Sequence, residues 1–241
     1  MTPFTTRRHG APLVAAGVLL ALYPAVRPWG DATPAGAPAA FASAAWPVAH
    51  LAAVAGFGLV AVGLLRLRDA VGDGSGTRSA RWAVGTWWLG TVLVLPYYGA
   101  ETFALHALAV AGKADPALVE AVRMGPLQLT VFGIGLAAFG AAGVLAAVTV
   151  AGSATTRRWG GSVFAAGFAL YLPQFFAAPE LRIAHGVLVA VGCLLLAASR
   201  PRTSAPTRVP GAPGPSDAGQ APVVRTRRVT AARAASSSSG G

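Results

Sequence analysis

Long apolar runs separated by short charged connectors constrain this chain more than any other feature of its sequence. Several windows of about 17–24 residues contain no Asp, Glu, Lys or Arg, which is the length a helix needs to cross roughly 30 Å of hydrocarbon. Only 11% of the residues are charged and the mean hydropathy is +0.58, whereas a soluble domain averages about 25% charged residues. The pattern predicts an all-α, polytopic membrane helical bundle.

Six runs are predicted to cross the membrane, at residues 11–26, 43–65, 82–98, 127–150, 160–178 and 184–199. The third run is the unusual one, because its apolar character continues from Trp82 to Gly112 and one helix of that length would measure about 46 Å. Pro96 and Gly99 are the natural place for a break. We therefore expect residues 100–123 to form a short outer helical element, either lying on the surface or re-entering the membrane.

Both ends of the chain differ from its middle. Residues 1–10 are polar and are followed by an apolar run, as in a signal peptide, but the nearest Ala-x-Ala sites lie more than about ten residues beyond that run. A retained first span is the preferred interpretation, with a cleaved signal peptide as the alternative. Residues 200–241 are basic and rich in Pro, Ser, Gly and Ala, which predicts a disordered tail.

The distribution of arginine predicts the orientation of the bundle. With six spans, the side that holds both termini receives all the basic residues except Arg27, Lys113, Arg123 and Arg182. Positive residues mark the cytoplasmic side, so both termini are predicted to be cytoplasmic in a plasma membrane. The net charge of +11 therefore reflects topology rather than nucleic-acid binding. Arginine in place of lysine, with abundant Ala, Gly and Val, is typical of bacterial proteins from GC-rich genomes.

Small residues recur at four-residue spacing in the fourth and fifth spans, which in lipid favours close approach of helix backbones. These residues are Gly133, Ala137 and Ala141, then Gly143 and Ala147, and in the fifth span Gly161, Ala165 and Ala169.

Polar side chains within or beside the spans are predicted to gather at the outer leaflet, whereas the inner halves of the spans are almost wholly apolar. Ionisable groups at membrane depth are costly and usually face a partner or a cavity. Glu101 should therefore need Tyr97, His106, Arg182 or water if its helix dips into lipid. The predicted outer polar layer comprises His50, Tyr97, Tyr98, Glu101, His106, Gln128, Tyr171, Gln174, Glu180, Arg182 and His185.

Three chemical interpretations of this layer remain open. His50, His106 and His185 with nearby carboxylates are suitable zinc ligands, but Glu101 and His106 are five residues apart, about 140° round a helix, and no His-Glu-x-x-His occurs. His50 and His185 on separate helices are a candidate pair of haem ligands. In the third interpretation, neutral His and Tyr side chains form hydrogen bonds that brace the helix ends.

We favour a non-enzymatic accessory protein whose outer layer is structural or binds a partner protein or a small ligand, with no cofactor assigned. The alternative is a metal- or haem-dependent membrane enzyme or redox protein that uses His50, His106, His185 and Glu101. A small-solute transporter is a weaker alternative, since the span centres lack charges and no inverted repeat is evident. The single cysteine, Cys193, excludes an internal disulfide and a thiolate metal cluster.

Overall fold

The computed structural model describes residues 10–71, 76–151 and 155–198, all of which belong to one compact unit. Throughout these ranges the regular structure is helical, which confirms the predicted all-α class. The predicted cytoplasmic segment 1–10, apart from Gly10, and the predicted disordered tail 200–241 lie outside the described residues.

The described ranges contain nine α-helices, two short 3₁₀ turns at Trp29–Ala32 and Pro173–Phe176, and one π-helical turn at Ala100–Leu105. The α-helices are α1 (Ala11–Val26), α2 (Ala37–Ala42), α3 (Ala45–Val71), α4 (Thr77–Gly99), α5 (His106–Val110), α6 (Pro116–Met124), α7 (Pro126–Ala151), α8 (Thr155–Ala169) and α9 (Pro179–Ala198).

The six long helices form a closed ring in which chain neighbours are also spatial neighbours. Helix α1 packs on α3, α3 on α4, α4 on α7, α7 on α8 and α8 on α9, and α9 returns to α1. Aromatic side chains fill the centre. The Phe139 ring lies 4.3 Å from the Trp87 ring, on which it stacks, and 4.8 Å from the Phe57 ring. Packing of chain neighbours against one another is the expected topology of an apolar helical bundle.

Four of the described helices are long and apolar enough to cross a membrane, which indicates a membrane-embedded protein. They are Ala45–Val71, Thr77–Val110, Pro126–Ala151 and Pro179–Ala198. Helix α1 is apolar but shorter, and α8 has 15 residues. The fifth predicted span, 160–178, is shorter than expected because α8 ends at Ala169 and a 3₁₀ turn follows at Pro173.

The predicted break after the third span does not occur. Pro96 lies inside α4, and the helical path continues through the π-helical turn into α5, so that Thr77–Val110 is one helix of 34 residues. Its length is about 51 Å. In lipid-exposed helices a proline is tolerated where neighbouring groups satisfy the freed backbone, and a π turn accommodates the local change in register. Of the predicted outer element, only α6 is a separate helix.

Small residues do bring α7 and α8 together, but on one of the two predicted faces only. A Cβ at Gly161 would lie 2.9 Å from the Ala147 Cα, and one at Gly143 would lie 3.2 Å from the Ala165 Cα. Gly133 has open space beside it, and the residues one and two turns further along α7 are exposed. Spacing alone therefore identified two candidate faces, and only the position of α8 selects between them.

A small cap covers one end of the ring. It consists of residues 29–42 and 106–124, and its Phe41 packs against Trp46 of α3 and Leu105 of the π-helical turn. Helix α2 packs against α5, and α6 packs against the π-helical turn and the start of α7. The cap therefore closes over the end of the bundle at which α3 begins.

Candidate functional site

The first turns of α3 place Trp46 and His50 one helical turn apart at the cap end. The Ser43 hydroxyl accepts a hydrogen bond from the Ala45 amide at 3.2 Å and so caps the start of this helix. The His50 Nδ1 donates to the Trp46 carbonyl at 2.8 Å, and only 2% of His50 is exposed. The rings of Trp46, Tyr23 and Tyr98 surround the imidazole at 4.4, 5.3 and 5.9 Å. His50 is thereby fixed in orientation and removed from solvent.

Glu101 lies opposite His50 in the π-helical turn, and only 4% of it is exposed. One carboxylate oxygen, Oε1, accepts from the Arg123 Nε at 2.8 Å, and the backbone carbonyl accepts from the Trp46 Nε1 at 2.6 Å. The other oxygen, Oε2, lies 3.8 Å from the His50 Nε2. Glu101 thus joins three elements: helix α3, the π-helical turn and the cap helix α6.

A chain of ion pairs continues from Glu101 into the cap. The Arg123 Nη2 donates to the Asp31 Oδ2 at 3.1 Å, and the same oxygen accepts from the Arg27 Nη2 at 2.5 Å. Arg27 also lies over the rings of Trp29 and Trp46, at 4.6 and 4.8 Å. Burial alone lowers the pKa of Arg123, but the Glu101, Tyr97 and Asp31 side chains outweigh it, and the net pKa lies above the ordinary value. Arg123 is therefore a permanent cation.

We call Arg27, Asp31, Arg123, Glu101 and His50 the buried charge network. Its two guanidinium groups and two carboxylates carry no net charge when His50 is neutral. This balance matters because an uncompensated charge costs several kcal/mol when it is buried, whereas paired charges recover most of that cost. Within the described residues, four buried side-chain atoms have no hydrogen-bond partner: Arg27 Nε, Asp31 Oδ1, Tyr98 Oη and Glu101 Oε2. All four lie in or directly beside the network.

A second polar cluster forms where the α8–α9 connection meets α1. The His185 Nε2 donates to the Gly167 carbonyl at 2.7 Å, and its ring lies 5.2 Å from the Tyr171 ring. The Arg182 Nε donates to the Gln174 Oε1 at 3.1 Å, and its guanidinium lies 4.8 Å from the Trp29 ring. Arg182 is therefore held by an amide and an aromatic face, and it is not the partner of Glu101.

Three of the predicted layer residues lie apart from both groups. The His106 Nδ1 donates to the Phe41 carbonyl at 2.7 Å within the cap, and the Gln128 Nε2 donates to the Ala121 carbonyl at 3.1 Å. Glu180 is exposed. Tyr97 lies close enough to Glu101 and Arg123 to interact with both electrostatically. The structure thus gathers His50, Tyr97, Tyr98 and Glu101, and Tyr171 and Arg182 of the second polar cluster lie close enough to Tyr98 to interact with it.

The three candidate histidine ligands each have a separate backbone partner. Each has one ring nitrogen bonded to a backbone carbonyl, and the described residues contain no group of three or more His, Cys, Asp or Glu side chains placed to hold a metal ion. A series of ring contacts separates the proposed haem pair: His50 meets Tyr98, Tyr98 meets Phe57, Phe57 meets Tyr171, and Tyr171 meets His185.

One cavity is lined by residues of the network, and a second lies beside Tyr97. The larger, of about 290 Å³, lies between the two cap segments and is lined by residues that include Asp31, Thr33, Glu120 and Arg123. The smaller, of about 230 Å³, is almost entirely apolar and lies between α4, α6 and α7 beside Tyr97. The larger cavity is therefore the one with polar groups to offer a ligand.

Sequence reasoning missed Arg27, Asp31, Trp46 and Arg123 as members of the polar layer. Arg27 and Asp31 do carry a signal, because opposite charges four residues apart directly after an apolar run favour a local pair. Arg123 carries no such signal, since its partners are 22 and 92 residues away. Only the fold of the cap brings it to them.

Comparison of the chain with protein-family models, with curated proteins and with solved structures gave no match.

Proposed function

We propose that this protein crosses the plasma membrane six times, with both termini in the cytoplasm and the cap on the outer face. Helices α1 and α8 support the proposal, because each packs between two of the four longer apolar helices and continues the same ring. The charge distribution supports the orientation. The cap end holds Arg27, Lys113, Arg123 and Arg182, and the other basic residues lie in the opposite connectors and the chain ends.

We further propose that the protein is a non-enzymatic accessory protein, and that its buried charge network is a structural brace for a binding cap. One observation carries this proposal: Arg123 of the cap helix α6 bridges Glu101 in the π-helical turn and Asp31 in the other cap segment. The ionic groups of the network therefore compensate one another. A brace of this kind fixes the two cap segments relative to each other and to the bundle.

The cap is where a partner protein or a small ligand would bind. The 290 Å³ cavity between its two segments offers Asp31, Glu120 and Arg123 side chains and apolar walls from Pro34, Pro38 and Met124, among others. A concave surface that combines apolar walls with a few fixed polar groups is typical of ligand sites. The brace keeps this cavity open by holding both of its walls.

An absorption spectrum and metal analysis of the detergent-purified chain test the accessory role against the enzyme alternative. We expect neither a Soret band nor stoichiometric zinc. A Soret band that disappears in His50→Ala or His185→Ala would establish a haem protein instead. Stoichiometric zinc that is lost in His106→Ala would establish a metal site. Either result would overturn the proposal.

A further inference from the structure

The contact between His50 and Glu101 is made by two hydrogen-bond acceptors. A carbonyl can only accept, so the 2.8 Å bond to the Trp46 carbonyl requires the proton of a neutral imidazole to be on Nδ1. The Nε2 then presents a lone pair to the Glu101 Oε2, 3.8 Å away, and an ionised carboxylate also only accepts. Both groups are buried, and nothing in the described part of the chain donates to Oε2.

The separation of these two atoms suits neither of the usual arrangements. A direct N–H···O bond spans about 2.7–3.2 Å, and a water that donates to two acceptors holds them roughly 4.4 Å apart. At 3.8 Å, the two acceptors face each other across an intermediate distance. A proton on Nε2 converts this unfavourable contact into a charge-assisted hydrogen bond, which needs a closing movement of only about 1 Å.

We propose that His50 and Glu101 form a buried proton-binding site: on acidification, the first proton taken up by the buried charge network binds the His50 Nε2 and is shared with the Glu101 Oε2. One N–H bond forms, the imidazole becomes an imidazolium, and the proton comes from solvent. This site goes beyond the bracing role and rests on the geometry of the two side chains, so a failure of either proposal leaves the other standing.

The surrounding groups direct the proton to this pair. Tyr23 of α1 and Tyr98 of α4 face the His50 ring, and neither is charged at neutral pH. Of the two buried carboxylates, Asp31 is held by two cations, Arg27 and Arg123, whereas Glu101 is held by one cation, Arg123, and faces the uncharged Tyr97 of α4. Glu101 therefore has the less compensated charge.

The same carboxylate holds the cap. Protonation of His50 draws Oε2 toward α3 while Oε1 remains bonded to Arg123. Acidification at the outer face would thus act on the residue that joins the bundle to α6.

Nitrogen-15 NMR of histidine-labelled protein tests the site. The chain has four histidines, and replacement of His9, His106 and His185 by Asn leaves His50 as the only signal. On acidification from pH 8, we expect His50 to change from the Nδ1–H tautomer to the doubly protonated ring. Glu101→Gln should lower the proton affinity of His50 at least tenfold, because it removes the facing charge and offers an N–H donor to Nε2.

His185 provides the matched control in a chain that retains it. Its Nε2 also bonds a carbonyl, but it has no carboxylate within ion-pair distance among the described residues. Glu101→Gln should leave the proton affinity of His185 unchanged. Equal proton affinity of His50 with and without the Glu101 carboxylate would overturn the proposal, as would a neutral His50 that carries its proton on Nε2.

If Glu101→Gln does not fold, infrared spectroscopy of the parent chain decides. The proposal requires the His50 ring to gain its second proton before any buried carboxyl group shows the C=O stretch of a neutral acid. A carboxylic acid band that appears first, with His50 still neutral, would place the proton on Asp31 or Glu101 and overturn the proposal.

Discussion

At the scale of single residues, Arg123 is the cation that joins the cap to the bundle. Its side chain is 18% exposed, yet it bonds two carboxylates that are 5% exposed and come from different parts of the chain. The planar guanidinium allows this, because Nε and Nη2 present donors in different directions. A lysine has one charged nitrogen and cannot reproduce the bridge.

Replacement of Arg123 by Met should strongly destabilise the protein. Glu101 would lose the one arginine that bonds it within the described ranges, and removal of one partner of a buried pair costs about 3–5 kcal/mol. The measurement is the free energy of unfolding of the purified protein in detergent. Arg68→Met is the control, because among the described residues Arg68 pairs with the exposed, adjacent Asp69 and should contribute less than about 1 kcal/mol. Equal effects of the two replacements would contradict the bracing role.

The sequence predicts that Glu101 needs a compensating group, but it does not predict which residue supplies the charge. Because a buried carboxylate needs compensation, we expected Tyr97, His106, Arg182 or water beside it, and the expectation of a nearby polar group is met by Tyr97. The cation, however, is Arg123, while Arg182 bonds Gln174 and stacks on aromatic rings. Arg182 was one of four alternatives, and nothing in sequence specifies which of several cations the cap brings inward.

At the scale of elements, the helix Thr77–Val110 sets the position of the network. Its continuous path past Pro96 keeps Glu101 in the bundle, with Tyr98 one turn earlier on the same side. The Thr102 hydroxyl donates to the Tyr98 carbonyl at 2.6 Å and so satisfies one backbone group near the π-helical turn. The sequence marks an irregularity here, and packing determines its form.

Two glycines in α7 predict opposite effects of the same substitution. A Cβ at Gly135 would lie 2.7 Å from the Val94 Cγ2 and 3.1 Å from the Gly90 carbonyl oxygen, whereas a Cβ at Gly133 meets nothing within 4 Å. Gly135→Ala should lower the free energy of unfolding by about 1–3 kcal/mol through overpacking of α4 against α7.

Gly133→Ala should be neutral or stabilising, by up to about 1 kcal/mol, because Ala is the better helix former. Thermal unfolding of the two variants side by side measures the difference. If Gly133→Ala were the more damaging of the two, the packed face of α7 would be the other one.

At the scale of the whole molecule, the distribution of charge over the two ends of the bundle predicts its orientation. A variant with Cys193 replaced by Ala provides a background for single cysteines, since Cys193 is the only one in the chain. In intact cells, Lys113→Cys in the cap should react with an impermeant thiol reagent. Asp69→Cys, at the opposite end, should react only after the membrane is opened. Labelling of Asp69→Cys from outside would show that the orientation is the opposite of the one proposed.

Sequence by itself determined the helical class, the membrane environment and the polar character of the cap end, because each follows from composition and period along one stretch of chain. Hydrocarbon accepts only helices with satisfied backbones, so long apolar runs leave few alternatives. Tertiary structure alone decided that α4 continues past Pro96, which face of α7 meets α8, and that Arg123 reaches Glu101 and Asp31. Those features depend on contacts between residues distant in sequence, where many pairings have similar local energy and only the packed bundle selects one.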